Sequence, residues 1–214
     1  MIGIVISDSF LLTGKWEESD VGYTLNAIEK IDFTESISNL LFNESDLNSI
    51  LASALRKAKE IHSFDAVDVL VGLPDLYVEH SVLEKDQDLS KGDYLDYFKW
   101  IEKQKGRPLN QEVYTYGQIY YPAESNLHIC SVPKSLVRTL KLSITEMGGY
   151  TKWMGPVSTL YLDGSSISEA ALIHRIGSKY SFMKVQNNRF DMGVVTFSGG
   201  IARVASTTDS SEDV

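Results

Sequence analysis

The sequence has a single cysteine, Cys130, so no intrachain disulfide can form, which fits a reducing compartment. It has no apolar run of about 18 residues, the length a membrane span needs. The apolar start "MIGIVISDSF" is too short, and lacks the basic lead, for a secretory signal. Positive charge is scarce: 20 Lys and Arg stand against 29 Asp and Glu, a net charge of −9. That balance argues against nucleic acid and against direct attraction to anionic lipid. The four histidines, His62, His80, His128 and His174, form no HExxH and no pair four residues apart. There is no Cys-x-x-Cys and no G-x-S-x-G, and "FSGG" at Phe197 to Gly200 lacks the Lys-Ser/Thr of a P-loop. No catalytic residue and no metal site is expected. His80 and His128 fall in strand-like runs and read as structural, and Cys130 as a small core residue.

What is present is an ordinary globular composition. With 214 residues, 43% hydrophobic and 23% charged, the chain can bury a real core. "IGIVIS", "FLLTGKWEE" and "GYTLNAIEKIDF" read as three strands separated by turn-prone residues. "SDLNSILASALRKAKEIH" is a helix whose apolar face is Leu47, Ile50, Leu51, Ala54, Leu55, Ala58 and Ile61, with Ser45 as the expected N-cap. "DAVDVLVGLP" alternates as a strand until Pro74 ends it. Residues 1–74 thus form a first α/β subdomain.

Residues 75–157 read as a β-α-β-β-α-β module, with both helices on one sheet face. "YVEHSVLE" is its first strand. A helix opened by Ser90 and Asp93 follows, carrying Tyr94, Tyr97, Phe98 and Ile101 toward the core. "EVYTYGQIYY" and "NLHICSV" form a hairpin. A helix from Pro133 stops at Gly148-Gly149, and "YTKWMGPV" is the last strand. Residues 158–205 begin another subdomain, a three-strand meander of "EAALIHRI", "YSFMKVQ" and "FDMGVVTFSGG" with a turn at Asn187-Asn188. Residues 206–214 read as a disordered acidic tail. A meander without a helix over it leaves an apolar face to be covered by further chain, a partner or a second copy.

This order of parts resembles the actin-like proteins of the PilM and FtsA type, to which the cytoplasmic part of GspL is related. The most specific stretches are "YLDYFKWIEKQKGRPLNQEVYTYGQIYY", similar to the family's helix with a W-x-E core and the strand after it, and "LHICSVPKSLVRTLKLSITEMGGYTKWMGPVSTLYL". The resemblance covers roughly residues 1–200. It implies an α/β, ribonuclease H-like (actin-like) subdomain, an inserted module of the type called 1C, and an incomplete second subdomain. It further implies a cytoplasmic protein, peripheral to the inner membrane through its partners.

The departures concern the phosphate loops, which in nucleotide-binding members cradle phosphate on backbone N–H groups and place carboxylates for Mg²⁺. The family's first loop resembles "GIDIGSSSVK", where this chain reads "GIVISDSFLLTG": Val5 stands at the Asp position and Ser7 at the Gly. The second resembles "LVDIGAxTT", where this chain reads "LIHRIGSKYS", with Arg175 at the Asp position and Lys179 and Tyr180 in place of small hydroxyl residues. Ser7, Asp8, Ser9, Gly177 and Ser178 are the residues of a degenerate nucleotide site, with Asp8 a shifted substitute acid. With both acids gone the chain is expected to be a pseudo-ATPase with no cofactor; ATP and Mg²⁺ belong to the alternative, a nucleotide-regulated actin-like ATPase.

The binding features are aromatic. Trp100 projects away from the core side of its helix, and "YTYGQIYY" puts aromatics on both faces of its strand. In PilM-like proteins a groove between the first domain and the inserted module takes a short N-terminal peptide of the membrane protein PilN. The resemblance therefore implies a membrane-anchored partner with a short cytoplasmic N-terminal tail. Tyr77, Val78, Trp100, Tyr114 and Tyr116 are the candidate partner-binding residues, with edge pairing as the mode. A homo-oligomer is a further expected assembly. The leading reading is a non-catalytic scaffold or adaptor of a type IV pilus or type II secretion assembly. A stand-alone interaction domain of an unrelated assembly is the third reading.

Overall fold

The structure is a computed structural model that describes residues 1–20, 22–84, 86, 88–90, 92–106, 109–120, 126–160, 169–176, 179–186, 189–198, 201–206 and 208–209. In chain order its elements begin with β1 (Ile2–Ile6), β2 (Phe10–Ser19), β3 (Gly22–Asp32), α1 (Glu44–Ile61), β4 (Asp68–Leu73) and β5 (Glu79–Glu84). Then come α2 (Tyr94–Gln104), β6 (Tyr114–Tyr120), β7 (Asn126–Pro133), α3 (Lys134–Glu146), β8 (Tyr150–Pro156) and α4 (Val157–Leu160). The last are β9 (Glu169–Ile176), β10 (Lys179–Gln186), β11 (Arg189–Ser198), β12 (Ile201–Ser206) and β13 (Thr208–Asp209). Among the described residues no helix is long and apolar enough to cross a membrane.

The chain divides into two compact units, 1–75 with 133–160, and 76–132 with 161–214. The first unit holds a five-stranded sheet in the order β3-β2-β1-β4-β8. β1 pairs antiparallel with β2 and parallel with β4, and β4 in turn pairs parallel with β8. Alternation puts Ile2, Ile4 and Ile6 on the same face as Val69 and Val71, all fully buried or nearly so. α3 lies on this face, because a Cβ on Gly149 would meet Val69 and Ile144 at 3.0 and 3.1 Å. α1 packs on α3 and buries Leu47, Leu51, Ala54, Leu55 and Ala58. The Ser135 hydroxyl bonds the Leu41 carbonyl and Lys59 reaches the Met147 carbonyl at 2.9 Å, joining both ends of the helix pair.

The expected module at 75–157 is therefore divided differently. α3 and β8 belong to the first sheet, and only β5, α2, β6 and β7 remain in the insertion. β-α-β-β-α-β is the correct element order along the chain. β8, however, takes its hydrogen bonds from β4, whose Asp68–Leu73 backbone would otherwise be an open edge. α4 (Val157–Leu160) follows β8 directly, so residues 158–160, expected in the next subdomain, stay with the first unit.

In the second unit one sheet runs β13-β5-β7-β6 and a second runs β12-β11-β10-β9. Antiparallel register sets Leu83 opposite Leu127 and Ser81 opposite Ile129. On that face Leu83, Leu127 and Ile129 join Tyr94 and Phe98 of α2 in a buried cluster, with Tyr97, Ile101 and Leu109 packed at its margin. The Tyr94 hydroxyl donates to the Asp86 carbonyl at 2.6 Å, tying the helix start to the segment that follows β5. The C-terminal meander has four strands, not three, the extra one being "IARVAS". Its six residues include Ala202, Ala205 and Ser206, and Arg203 follows Ile201 on the same alternation, so the apolar alternation that marks the other strands is faint. The expected tail at 206–214 is also partly structured: Ser206 closes β12, and Thr208 and Asp209 form β13, parallel to β5.

Helix starts differ from expectation in one way. α1 begins at Glu44, so Asn43 and not Ser45 is the cap: its side chain accepts from the Asp46 N–H at 3.4 Å and donates to the Asp46 carboxylate at 2.6 Å. Ile61 consequently falls on the exposed side of the last turn. Ser90 likewise bonds Asp93 in a turn one step before α2, which starts at Tyr94. Gly148, with φ +89°, supplies the left-handed stop after α3 as expected. Asn43→Ala should cost about 0.5–1 kcal/mol in urea unfolding while Ser45→Ala costs a few tenths at most. Equal effects would put the cap at Ser45.

Candidate functional site

The first candidate is the β1–β2 turn. Ser7 N–H donates to the Phe10 carbonyl at 2.8 Å, closing a two-residue turn over Asp8 and Ser9. Ser7 is buried and Ser9 exposed. The loop beyond β3 wraps this turn: Phe33 N–H donates to the Ser9 carbonyl at 2.8 Å and Ile37 N–H to the Asp8 carbonyl at 2.9 Å. The Asp8 carboxylate accepts from the Ser36 hydroxyl and from the Ser38 N–H at 2.9 Å, and the two serine hydroxyls sit 2.8 Å apart. Asp8 thus holds the start of the 3-10 turn Ile37–Asn39, whose cap residue Ser36 makes no cap bond of its own. Ser36 and Ser38 were not among the expected site residues; the serine-rich "TESISNL" was their only sequence signal.

Position 5 has a different environment. Val5 and Val157 methyls lie 3.5 and 3.0 Å from where a Cβ on Gly72 would stand, so the space beside Gly72 is lined by apolar side chains. A carboxylate there would need Mg²⁺, water or a donor beside it; an apolar side chain needs none of these. Asp75, buried at the end of β4, is a carboxylate that sequence reasoning passed over. The parallel register, Val5 opposite Gly72, carries Asp8 and Asp75 off the same edge of the sheet, each three residues further on. Arg175 lies in β9 opposite Tyr180, and Lys179 opens β10 opposite Ile176. Gly177 and Ser178 lie outside the described residues.

The second candidate is the aromatic surface around α2 and β6. Trp100 is 56% exposed, as expected of a residue off the core side, and its ring stacks on Tyr97 with centroids 6.0 Å apart and 13° between planes. Tyr114 and Tyr116 are half-buried on β6, which ends its sheet among the described strands. Burial, first, raises the Tyr116 phenol above its ordinary value, with Glu79 and Tyr114 adding to the effect. Glu79 in turn accepts from the Ser131 hydroxyl at 3.2 Å. Tyr77 and Val78 are buried, 9% and 3% exposed, so their side chains serve the interior and offer nothing to a docking peptide. The edge of β5 beside them is paired with β13.

On the other face of this sheet His80 stands opposite Cys130, its Nδ1 3.4 Å from Sγ, while Nε2 has no hydrogen-bond partner among the described residues. Burial, and then the neighbouring His128, push the His80 imidazole down to about 4. Among the described residues no three His, Cys, Asp or Glu side chains gather as a metal site.

No protein-family profile and no curated protein matches the chain. Solved structures do match in fold. The PilM–PilN type IV pilus biogenesis complex aligns at a TM-score of 0.62 with 11% identity, over 92% of this chain and 62% of that one. The cytoplasmic domain of EpsL, an inner membrane component of the type II secretion system of Vibrio cholerae, aligns at 0.54 with 10% identity, over 89% and 69%. A Bacteroides thetaiotaomicron protein with an actin-like ATPase fold and unknown function gives a weaker 0.47 with 11% identity, over 96% and 69%. The chain thus spans under two thirds of the length of the PilM–PilN chain it matches. The likeness to the PilM–PilN and EpsL structures is one of fold, and the first sheet runs β3-β2-β1-β4-β8 with the insertion before its last helix and strand.

Two predictions follow from the geometry. Asp8→Ala should lower stability by about 1–2 kcal/mol, because it strands the Ser38 N–H and the Ser36 hydroxyl; an unchanged urea midpoint would remove the capping role. For His80 the folded value of about 4 lies below the ordinary 6.5, so the unfolded chain takes the proton first. The stability it preserves is complete above pH 6.5 and is lost as pH falls toward 4, by roughly 2–3 kcal/mol. Unfolding wild type and His80→Leu at neutral and acid pH should show a smaller acid loss in the variant.

Proposed function

We propose that this chain, with the fold of PilM and of the EpsL cytoplasmic domain, is a non-catalytic actin-like scaffold. It works at the cytoplasmic side of an inner membrane, in a type IV pilus or type II secretion assembly, and binds the cytoplasmic tail of a membrane-anchored partner. The observation that carries this reading is the spent acid: the Asp8 carboxylate caps the turn at 36–38, while position 5 is apolar. A hydrated Mg²⁺ on a nucleotide needs carboxylates free to accept from its waters. Two further observations support a binding role. Similar structures include a PilM–PilN complex and an inner membrane component's cytoplasmic domain. The Tyr97–Trp100 stack also exposes a large rigid aromatic surface of the kind that dominates interface energetics.

Thermal melts with and without Mg-ATP test the non-catalytic half. No shift is expected, and a rise of several degrees would establish the nucleotide-regulated ATPase reading instead. Photo-crosslinking from position 100 in cells of the source organism tests the other half. It should recover one single-span membrane protein with a short cytoplasmic N-terminal tail. Trp100→Ala should weaken that partner's binding about tenfold or more while the exposed site leaves melting nearly unchanged. Full affinity in the variant would move the interface away from α2.

A further inference from the structure

β5 has one edge on β7 and the other on β13, and the two pairings differ greatly in strength. The β7 side is antiparallel over six residues, from Glu79 opposite Ser131 to Glu84 opposite Asn126. The β13 side is parallel and two residues long, Thr208 opposite His80 and Asp209 opposite Ser81. Parallel pairs are weaker per residue, and aspartate disfavours strands. The segment around β13, "STTDSSEDV", has no large apolar side chain except its final valine to hold it by burial. Charge opposes it as well. Residues 79–96 carry six carboxylates against two lysines, and of these Glu79, Glu84, Asp86 and Asp88 are exposed, so Asp209 adds an acid to an acidic border.

We infer that Thr208–Asp209 is a built-in placeholder strand, which a partner's extended segment displaces to pair along β5. An unpaired strand edge is a template for any extended chain, and here the protein covers it with its own weakest available strand. A longer segment replaces two residue pairs with up to six. The acidic border selects one bearing basic residues, and the alternation of β5 selects apolar side chains at every second position. The inference rests on the scaffold reading for the partner's existence, but the self-pairing stands without it. Free partner meets a site already occupied, so its apparent affinity is reduced by the fraction of molecules in which β13 is undocked.

The test uses the full chain, two variants and a labelled synthetic peptide of about ten residues, alternating valine and threonine between terminal arginines. Thr208→Pro fixes φ near −65° and removes an N–H, which weakens a pairing only two residues long. It should raise amide hydrogen exchange in the peptide covering β5 and tighten probe binding roughly three- to tenfold by anisotropy. The double variant Ser81→Cys, Asp209→Cys, oxidised, fixes β13 in place and should lose probe binding until reductant is added. Unchanged exchange in Thr208→Pro would show that β13 does not hold the edge, and overturns the inference outright. Raised exchange with unchanged affinity, or full binding by the oxidised double variant, overturns displacement and moves capture to the β6 edge. In either of these last cases the scaffold reading survives, because position-100 crosslinking and the Mg-ATP melts test it separately.

Discussion

Parallel pairing between β1 and β4 is the contact on which the first unit depends. It places Ile2 and Ile4 beside Val69 and Val71 as one apolar face, and that face is what α1 and α3 cover. The same register fixes what happens on the reverse side, where Val5 falls opposite Gly72. Methyls of Val5 and Val157 lie 3.5 and 3.0 Å from where a Cβ on Gly72 would stand, so only glycine leaves both in place. Valine at position 5 needs no charged or hydrogen-bonding neighbour.

Asp8 shows the complementary change. A carboxylate three residues past a strand end could serve a metal or a backbone. Here two donors from Ser36 and Ser38 engage it, and two backbone bonds fasten the same turn to 33–37. The β1–β2 turn is thus tied to a neighbouring loop by short bonds. Rigidity of this kind favours a fixed surface over a site that must open and close around a ligand.

Much of this was readable from residue patterns. The first four strands and α1 follow from local alternation and helical spacing, and α2 and its buried Tyr94 and Phe98 follow in the same way. The resemblance to actin-like proteins rested on element order, which is why it survived identities near 10%. What escaped was nonlocal. The order β-α-β-β-α-β is the same whether β8 closes the insertion or returns to β4, and no residue within β8 names its neighbour. Asp8 finds its partners 28 and 30 residues away. β13 is too short for any periodicity, and its pairing with His80 depends on chain that folds much later in sequence.

That return of β8 to β4 also orders the events of synthesis. The first sheet lacks its fifth strand until residues beyond 150 have left the ribosome, by which time the whole of 76–132 is already outside. The insertion must then collapse on its own cluster of Leu83, Tyr94, Phe98, Leu127 and Ile129, while the β4 edge waits unpaired. A slow-closing parallel pair of this sequence separation exposes a sticky strand to other nascent chains. Producing the protein in soluble form therefore depends on how quickly one small inserted subdomain folds and lets the two halves of its host meet.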